Sequence, residues 1–385
     1  MTTPRDLDDL AALEQLDAQD MLRACAGAGA QVRASLRASV EGDLASVVAD
    51  GRPRAIVVTG MGGSGISGDV LAAISGSACP VPVVGVKDLT LPGWVGPLDL
   101  VIGVSCSGVT EETLTATEEA VRRGARIVTV GAPGAPLARL AERGRGRHVS
   151  VDAAGRQSRA SMWLLSTPLL YLADALRLAD VPPSMLEAVA DQLDADAARY
   201  APGAASYDNA AKELALALVG TLPVVWGASR LTGVVAHRFC GQLNENAKHP
   251  AIAGELPEAG HNQVMTFDGP FSAGRASGSA DAPDLGGDFF RDRGDDTELV
   301  RTRLVLLREQ GEHPRTAARA AAVLDVARGR DVPVTSLRAT GESPLERMAS
   351  LVALTDFAST YLALALGIDP TPIPAISELK GRIAL

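Results

Sequence analysis

Between residues 55 and 178 the chain alternates short apolar runs with stretches whose apolar positions recur every three or four residues. The runs at 55–58, 81–86, 100–104, 126–130 and 148–151 predict strands, the first and third apolar enough to be buried on both faces. Helices are predicted over 70–74, after the glycine-rich loop, over 111–123 and over 162–178. The helix at 111 has Thr110 as N-cap and Glu111 and Glu112 in its first turn. Strands that alternate with helices imply a parallel sheet covered on both sides. Residues 5–50 read as two helices lying on one side of this unit.

Val181-Pro182-Pro183 reads as a hinge, after which the pattern restarts. Helices are expected near 184–200, 209–218, 231–243, 316–328 and 344–366, and strands at 222–226, 264–267, 303–307 and 332–337. The order strand, loop, helix thus occurs at 55–74 and again at 222–243. The predicted architecture is α/β, with two tandem units of parallel sheet covered by helices. A helical segment over 1–50 packs on the first domain, 51–180 form that domain, and 181–385 form the second. Residues 269–287, rich in Gly, Ser, Ala and Asp, read as an irregular loop.

Composition narrows the function. Of 385 residues 46% are apolar, so large cores are available, but only 3% are aromatic and the net charge is −10. Few stacking platforms and no basic block argue against nucleic acid. Cys25, Cys79, Cys106 and Cys240 form no C-x-x-C pair and imply no disulfide framework, which fits a reducing cytoplasm. The N-terminus lacks a signal-type apolar core, and the apolar stretch 348–368 is interrupted by Ser350, Thr355, Asp356, Ser359 and Thr360. It reads as a buried helix rather than a membrane span.

Two loops carry candidate chemistry. Gly60-Met61-Gly62-Gly63-Ser64-Gly65 follows the first strand and opens a helix, the arrangement that presents backbone N–H groups and a positive dipole end to an anion. Ser105-Cys106-Ser107-Gly108-Val109-Thr110 follows the third strand and adds three hydroxyls. Many donors converging on one small dianion suit a terminal phosphate. The spacing of Gly60, Gly62 and Gly65 also satisfies the dinucleotide pattern G-x-G-x-x-G, with Asp88 in reach as its acidic residue. An NAD-dependent oxidoreductase is therefore one alternative. Glu245 and His249 stand four apart, a spacing that could share a metal, but Pro250 ends that helix and no H-E-x-x-H is present. Taken by spacing alone, Glu245 reads as an exposed helix-end carboxylate. His148, His237 and His313 read as surface or packing residues.

Together the two loops resemble the sugar isomerase (SIS) superfamily. Asn244-Glu245-Asn246-Ala247-Lys248-His249-Pro250, Glu255-Leu256-Pro257-Glu258-Ala259-Gly260-His261-Asn262 and the tail Asp369-Pro370-Thr371-Pro372 through Glu378-Leu379-Lys380 narrow it. They are similar to signatures of the bifunctional phosphoglucose/phosphomannose isomerase family. The resemblance implies two flavodoxin-like SIS domains and interconversion of glucose 6-phosphate or mannose 6-phosphate with fructose 6-phosphate, without cofactor or metal. It implies a phosphate site at Gly62, Gly63, Ser64, Ser105, Ser107 and Thr110. It makes Glu245 the proton-transfer base, His261 the ring opener donated across a homodimer, Lys380 an assistant near the ring oxygen or phosphate, and Arg159 the enediolate stabiliser, with Arg156 its competitor. A catalytically silent phosphosugar sensor on the same fold is a further alternative. Val109 and Cys106 depart from the family pattern, which has Asn and an aromatic residue there.

Overall fold

The computed structural model describes residues 3–272 and 300–383. Most of the irregular loop expected over 269–287, from 273 onward, lies outside the described residues. The chain forms two compact units: Asp20–Ala201 with Gly341–Ala353, and Met1–Gln19 with Pro202–Thr340 and Leu354–Leu385. They are called here the first and second unit. The opening helix α1 (Leu10–Leu16) therefore belongs to the second unit, while α2 (Met21–Ala26) and α3 (Ala28–Glu41) belong to the first.

The first unit holds five parallel strands, β1 (Ile56–Thr59), β2 (Val83–Val86), β3 (Leu100–Ser105), β4 (Arg126–Gly131) and β5 (Arg147–Ser150), in the order 2-1-3-4-5. This is the flavodoxin-like order. Its helices are α4 (Gly62–Ser75), α5 (Glu111–Arg122), α6 (Pro136–Arg143), α7 (Met162–Ala175) and α8 (Pro183–Arg199). Alternation explains the unbroken apolar runs: Ile56, Val58, Ile102 and Val128 face α7, while Val57, Val101 and Ile127 face Ala116, Ala120 and Ala141 of α5 and α6. The sequence pattern missed the short α6.

Two local devices hold the helical layers together. Pro168 lies inside α7 and cannot donate to the carbonyl of Leu164. The buried Ser35 hydroxyl of α3 donates to that carbonyl at 2.6 Å instead. A Cβ at Gly29 would stand 2.5 Å from the Ala190 carbonyl, so α3 and α8 meet backbone to backbone, and Arg33 locks the crossing through Asp191 and Asp194 at 2.6 and 2.7 Å. These contacts keep α8 in the first unit, beyond the Pro182-Pro183 hinge.

The second unit repeats the plan with β6 (Thr221–Gly227), β7 (Ile252–Glu255), β8 (Arg301–Arg308) and β9 (Val334–Arg338), all parallel, in the order 7-6-8-9. Its helices are α9 (Ala210–Leu218), α10 (Arg230–Asn246), α11 (Pro314–Arg328) and α13 (Pro374–Ile383); α12 (Pro344–Ala365) starts in the first unit and ends here. Among the described helices α12 alone is long and apolar enough to cross a membrane, and 94% of that stretch is buried. Strand β7 and helix α13 escaped the sequence pattern. The strand expected at 264–267 is instead part of a 3-10 helix, Gln263–Asp268. Asn262 caps it, and Val264 and Phe267, three apart, turn to the same side, where Phe267 stacks on Trp226 at 5.5 Å.

The second unit is tied to the chain's beginning by a fully buried ammonium. Lys212 donates to the Asp8 carboxylate at 2.9 Å and to the carbonyls of Pro202 and Ala204 at 2.8 Å each. Its Nζ also lies 5.6 Å from the centre of the Tyr361 ring. The hydrogen bond from Lys212, then those from Ser206, hold the Asp8 carboxyl below the usual carboxylate range. A carboxyl depressed in the folded state contributes stability above its unfolded value, about 3.9, and loses it as pH falls through the folded value. Asp8→Asn should therefore be less stable than the wild type at neutral pH, with the gap closing as pH falls below the unfolded carboxylate value; urea midpoints from neutral to acid pH measure it.

Candidate functional site

In a sheet of order 2-1-3-4-5 the connections leaving β1 and β3 run to opposite faces, opening a crevice at their carboxyl ends. Both loops singled out in the sequence leave the sheet there. The glycine spacing has a packing origin. A Cβ on Gly60 would stand 2.9 Å from the Val104 carbonyl, one on Gly65 2.6 Å from the Gly60 carbonyl, and one on Gly68 2.9 Å from the Val58 side chain. These three glycines seat α4 on β1 and β3. Gly62, exposed at φ +51°, turns the chain into the helix. Gly63 has a different neighbour: its Cβ would fall 2.7 Å from the Ser158 carbonyl and 2.8 Å from the Arg159 nitrogen. The N-terminus of α4 thus touches the 3-10 turn Ser158–Ala160 that carries the buried Arg159.

The hydroxyls divide by role. Ser64 is buried, and its Oγ accepts the Cys106 N–H at 3.2 Å, joining the two loops. Ser105 is buried too; its Oγ lies 2.9 Å from Thr110 Oγ1 and accepts the Gly108 N–H at 3.1 Å. Ser107 is exposed and accepts the Val109 N–H at 3.4 Å, while Thr110 stands half-buried at the start of α5. Ser64 and Ser105 shape the loops; Ser107, Thr110 and the first N–H groups of α4 face outward. Cys106 sits half-buried between them, its thiol pushed up by burial against the opposing influence of Ser161 and Arg156. Arg156 is half-buried, with Nη2 3.5 Å from the Asp152 carbonyl. Asp88 is exposed and turned onto its own loop, where it accepts the Leu89 N–H at 2.6 Å.

The second unit has the same topology but a different occupant at its switch point between β6 and β8. There Ser229 caps α10 and donates its hydroxyl to Glu309, and the Glu255 carboxylate lies over Gly233, its pKa raised by burial. Carboxylates stand where an anion would bind. Among the described residues only the first unit presents hydroxyls and helix-end N–H groups without such a plug. Sequence reading missed this, although Glu255 and Glu309 at strand ends are its visible signal.

Glu245, His261 and Lys380 all belong to the second unit, whereas the loops and Arg159 belong to the first. Glu245 is half-buried in the last turn of α10. That helix is held by a polar ladder on α12: Arg238 and Gln242 reach Asp356 at 2.7 and 3.0 Å, and the buried Asn246 reaches Ser359 at 3.0 Å. His261 is exposed at the end of the 3-10 turn Glu258–His261, on the rim of an apolar cavity of about 390 Å³ lined by Leu256, Val264, Met265, Val323 and Val326. Lys380 is exposed on α13. Burial lowers the pKa of His249, whose Nδ1 lies 3.0 Å from the Pro250 carbonyl. Among the described residues His, Cys, Asp and Glu do not gather in groups of three that could hold a metal ion.

Family models match in two places: a SIS domain over residues 52–154 and a bacterial phospho-glucose isomerase C-terminal SIS domain over 207–383. A bifunctional phosphoglucose/phosphomannose isomerase of Caldicellulosiruptor bescii is 33% identical over 86% of this chain and 89% of that protein. Its counterpart from Aquifex aeolicus is 31% identical over 86% and 90%. Among solved structures, a tagatose-6-phosphate ketose/aldose isomerase from Escherichia coli shares the fold, with TM-score 0.66 at 14% identity over 97% of this chain and 98% of that one.

The contact at Gly63 is open to test. In Gly63→Ala the new methyl must displace the backbone at Ser158 and Arg159, at a cost of about 1–3 kcal/mol. Chemical denaturation should show that loss, and thermal stabilisation by inorganic phosphate should weaken with it.

Proposed function

The chain belongs to the bifunctional phosphoglucose/phosphomannose isomerase family, and from that premise we propose that it interconverts glucose 6-phosphate and mannose 6-phosphate with fructose 6-phosphate. The observation that carries this reading is the cradle at the first switch point. Two loops joined by Ser64 and Cys106 offer hydroxyls and N–H groups to a single dianion, and no second phosphate need be accommodated.

In this reading Gly62, Gly63, Ser107 and Thr110 hold the phosphate and fix one end of the sugar, on loops that Ser64 and Ser105 keep in shape for it. Glu245 takes the proton from C2 of the open-chain aldose. The electron pair moves into a C1–C2 double bond, leaving negative charge on the former carbonyl oxygen, O1. Arg159 supplies the cationic partner for that oxygen. Return of the proton to C1, with the O2 proton passing to O1, completes the ketose. The planar enediolate has no configuration at C2, so glucose and mannose phosphates converge on one intermediate. That is a chemical reason for one site to serve both. His261 opens the ring and is donated by the partner of a homodimer; Lys380 assists near the ring oxygen. Exposure of His261 and of the neighbouring Met265 and Phe271 supports an intersubunit role, since exposed apolar side chains mark contact surfaces. The cysteines, free among the described residues, support a cytoplasmic location.

Purified protein given either aldose phosphate in EDTA should form fructose 6-phosphate; absence of product from both overturns the reading. Glu245→Gln should lower kcat about 100- to 10,000-fold while thermal stabilisation by fructose 6-phosphate persists. The donated histidine has its own test. Glu245→Gln and His261→Ala variants, each inactive alone, should regain turnover when their subunits are exchanged by mixing.

A further inference from the structure

Helix α10, which carries Glu245, ends in a turn usually closed by glycine. Ala247 N and His249 N both donate to the Leu243 carbonyl at 3.1 Å, and the residue between them adopts φ +53°. This left-handed position just past the helix favours Gly because a Cβ is strained there. The chain places Lys248 in it. A strained backbone maintained at a candidate site calls for a side chain that glycine could not supply.

The Lys248 ammonium supplies four contacts. It lies 3.0 Å from the Glu245 carbonyl, 3.1 Å from that of Asn246, 3.1 Å from that of Asp369 and 3.2 Å from that of Pro370. Three N–H donors are thus shared among four acceptors. The first two are carbonyls of the last turn of α10, which lack helical partners and form the negative end of its dipole. The other two belong to the segment that leads to α13. Pro370, Pro372 and Pro374 fix three φ angles in that segment, and the Asp369 side chain accepts the Thr371 N–H at 2.9 Å. The direction set at Asp369 and Pro370 is therefore carried into α13. That helix has no buried residue, so packing of its own does not hold it.

We propose that Lys248 is a positioning residue. Its ammonium couples the helix end that presents Glu245 to the root of the helix that presents Lys380, so that the two keep one relative placement. The catalytic half of this proposal rests on the isomerase reading; the mechanical half does not.

Lys248→Gly separates the two roles of the position, since glycine relieves the left-handed strain and removes only the ammonium. The melting temperature should stay level or rise. Amide hydrogen exchange should stay slow over 243–249 and speed up by about tenfold or more over 369–383. With either aldose phosphate kcat should fall about 10- to 100-fold, with KM within about twofold. Lys248→Arg, which keeps a cation, should recover part of both effects. Unchanged exchange over 369–383 in Lys248→Gly overturns the clamp, and faster exchange with wild-type kcat overturns its link to catalysis. A wild type that turns over neither sugar phosphate refutes the isomerase reading, while the exchange result still decides the clamp.

Discussion

The site in the first unit depends on a backbone approach that only glycine allows. Gly63, at the start of α4, lies where a Cβ would stand 2.7 Å from the Ser158 carbonyl. That approach sets the anion-binding end of the helix against the turn carrying Arg159, a residue 96 positions further along the chain. The remaining glycines of the loop serve the same end by packing. Gly60, Gly65 and Gly68 bring α4 down onto β1 and β3, and only then can Ser64 accept the Cys106 N–H and join the two loops. A spacing that satisfies a dinucleotide pattern is here a record of helix–sheet proximity.

The two sheets show how one topology is put to different uses. Each has a switch point, and each is followed by a loop and a helix N-terminus. In the first unit that helix end faces hydroxyls. In the second, Ser229 is spent on Glu309 and Glu255 covers Gly233. A carboxylate at a helix N-terminus satisfies the dipole as an anionic ligand would. The second unit is thus freed to offer other groups: Glu245 at the far end of α10, His261 on the turn after β7, and Lys380 on α13.

The helix that bears Glu245 is positioned by polar contacts as well as by its buried apolar face. Arg238, Gln242 and Asn246 recur at four-residue intervals along α10 and find Asp356 and Ser359 on α12, which fixes the rotation of the helix that bears Glu245. Lys212, fully buried, does similar work at the other end of the unit, drawing Asp8 into it. Each such buried polar group limits the alternatives, because an unpaired one costs more than the pairing contributes.

The repeating strand–helix plan, the two loops and the family-like signatures around Glu245, His261 and Lys380 were legible in the sequence, because each is local. Apolar runs mark strands buried on both faces, and glycines and hydroxyls mark loops at strand ends. Beyond the missed elements α6, β7 and α13, three things were not legible. The 3-10 helix at Gln263–Asp268 carries the β-branched and aromatic residues that a strand would also show, and stacking of Phe267 on Trp226 goes with the helical choice. The membership of residues 1–19 and of α8 followed from Lys212 with Asp8 and from Gly29 with Ala190, contacts between positions far apart in the chain. The plug at the second switch point required Glu309 and Ser229, 80 residues apart, to meet. Periodicity reports what a residue faces; which distant residue stands there is decided by the fold, since a side chain's partner depends on backbone approach in three dimensions.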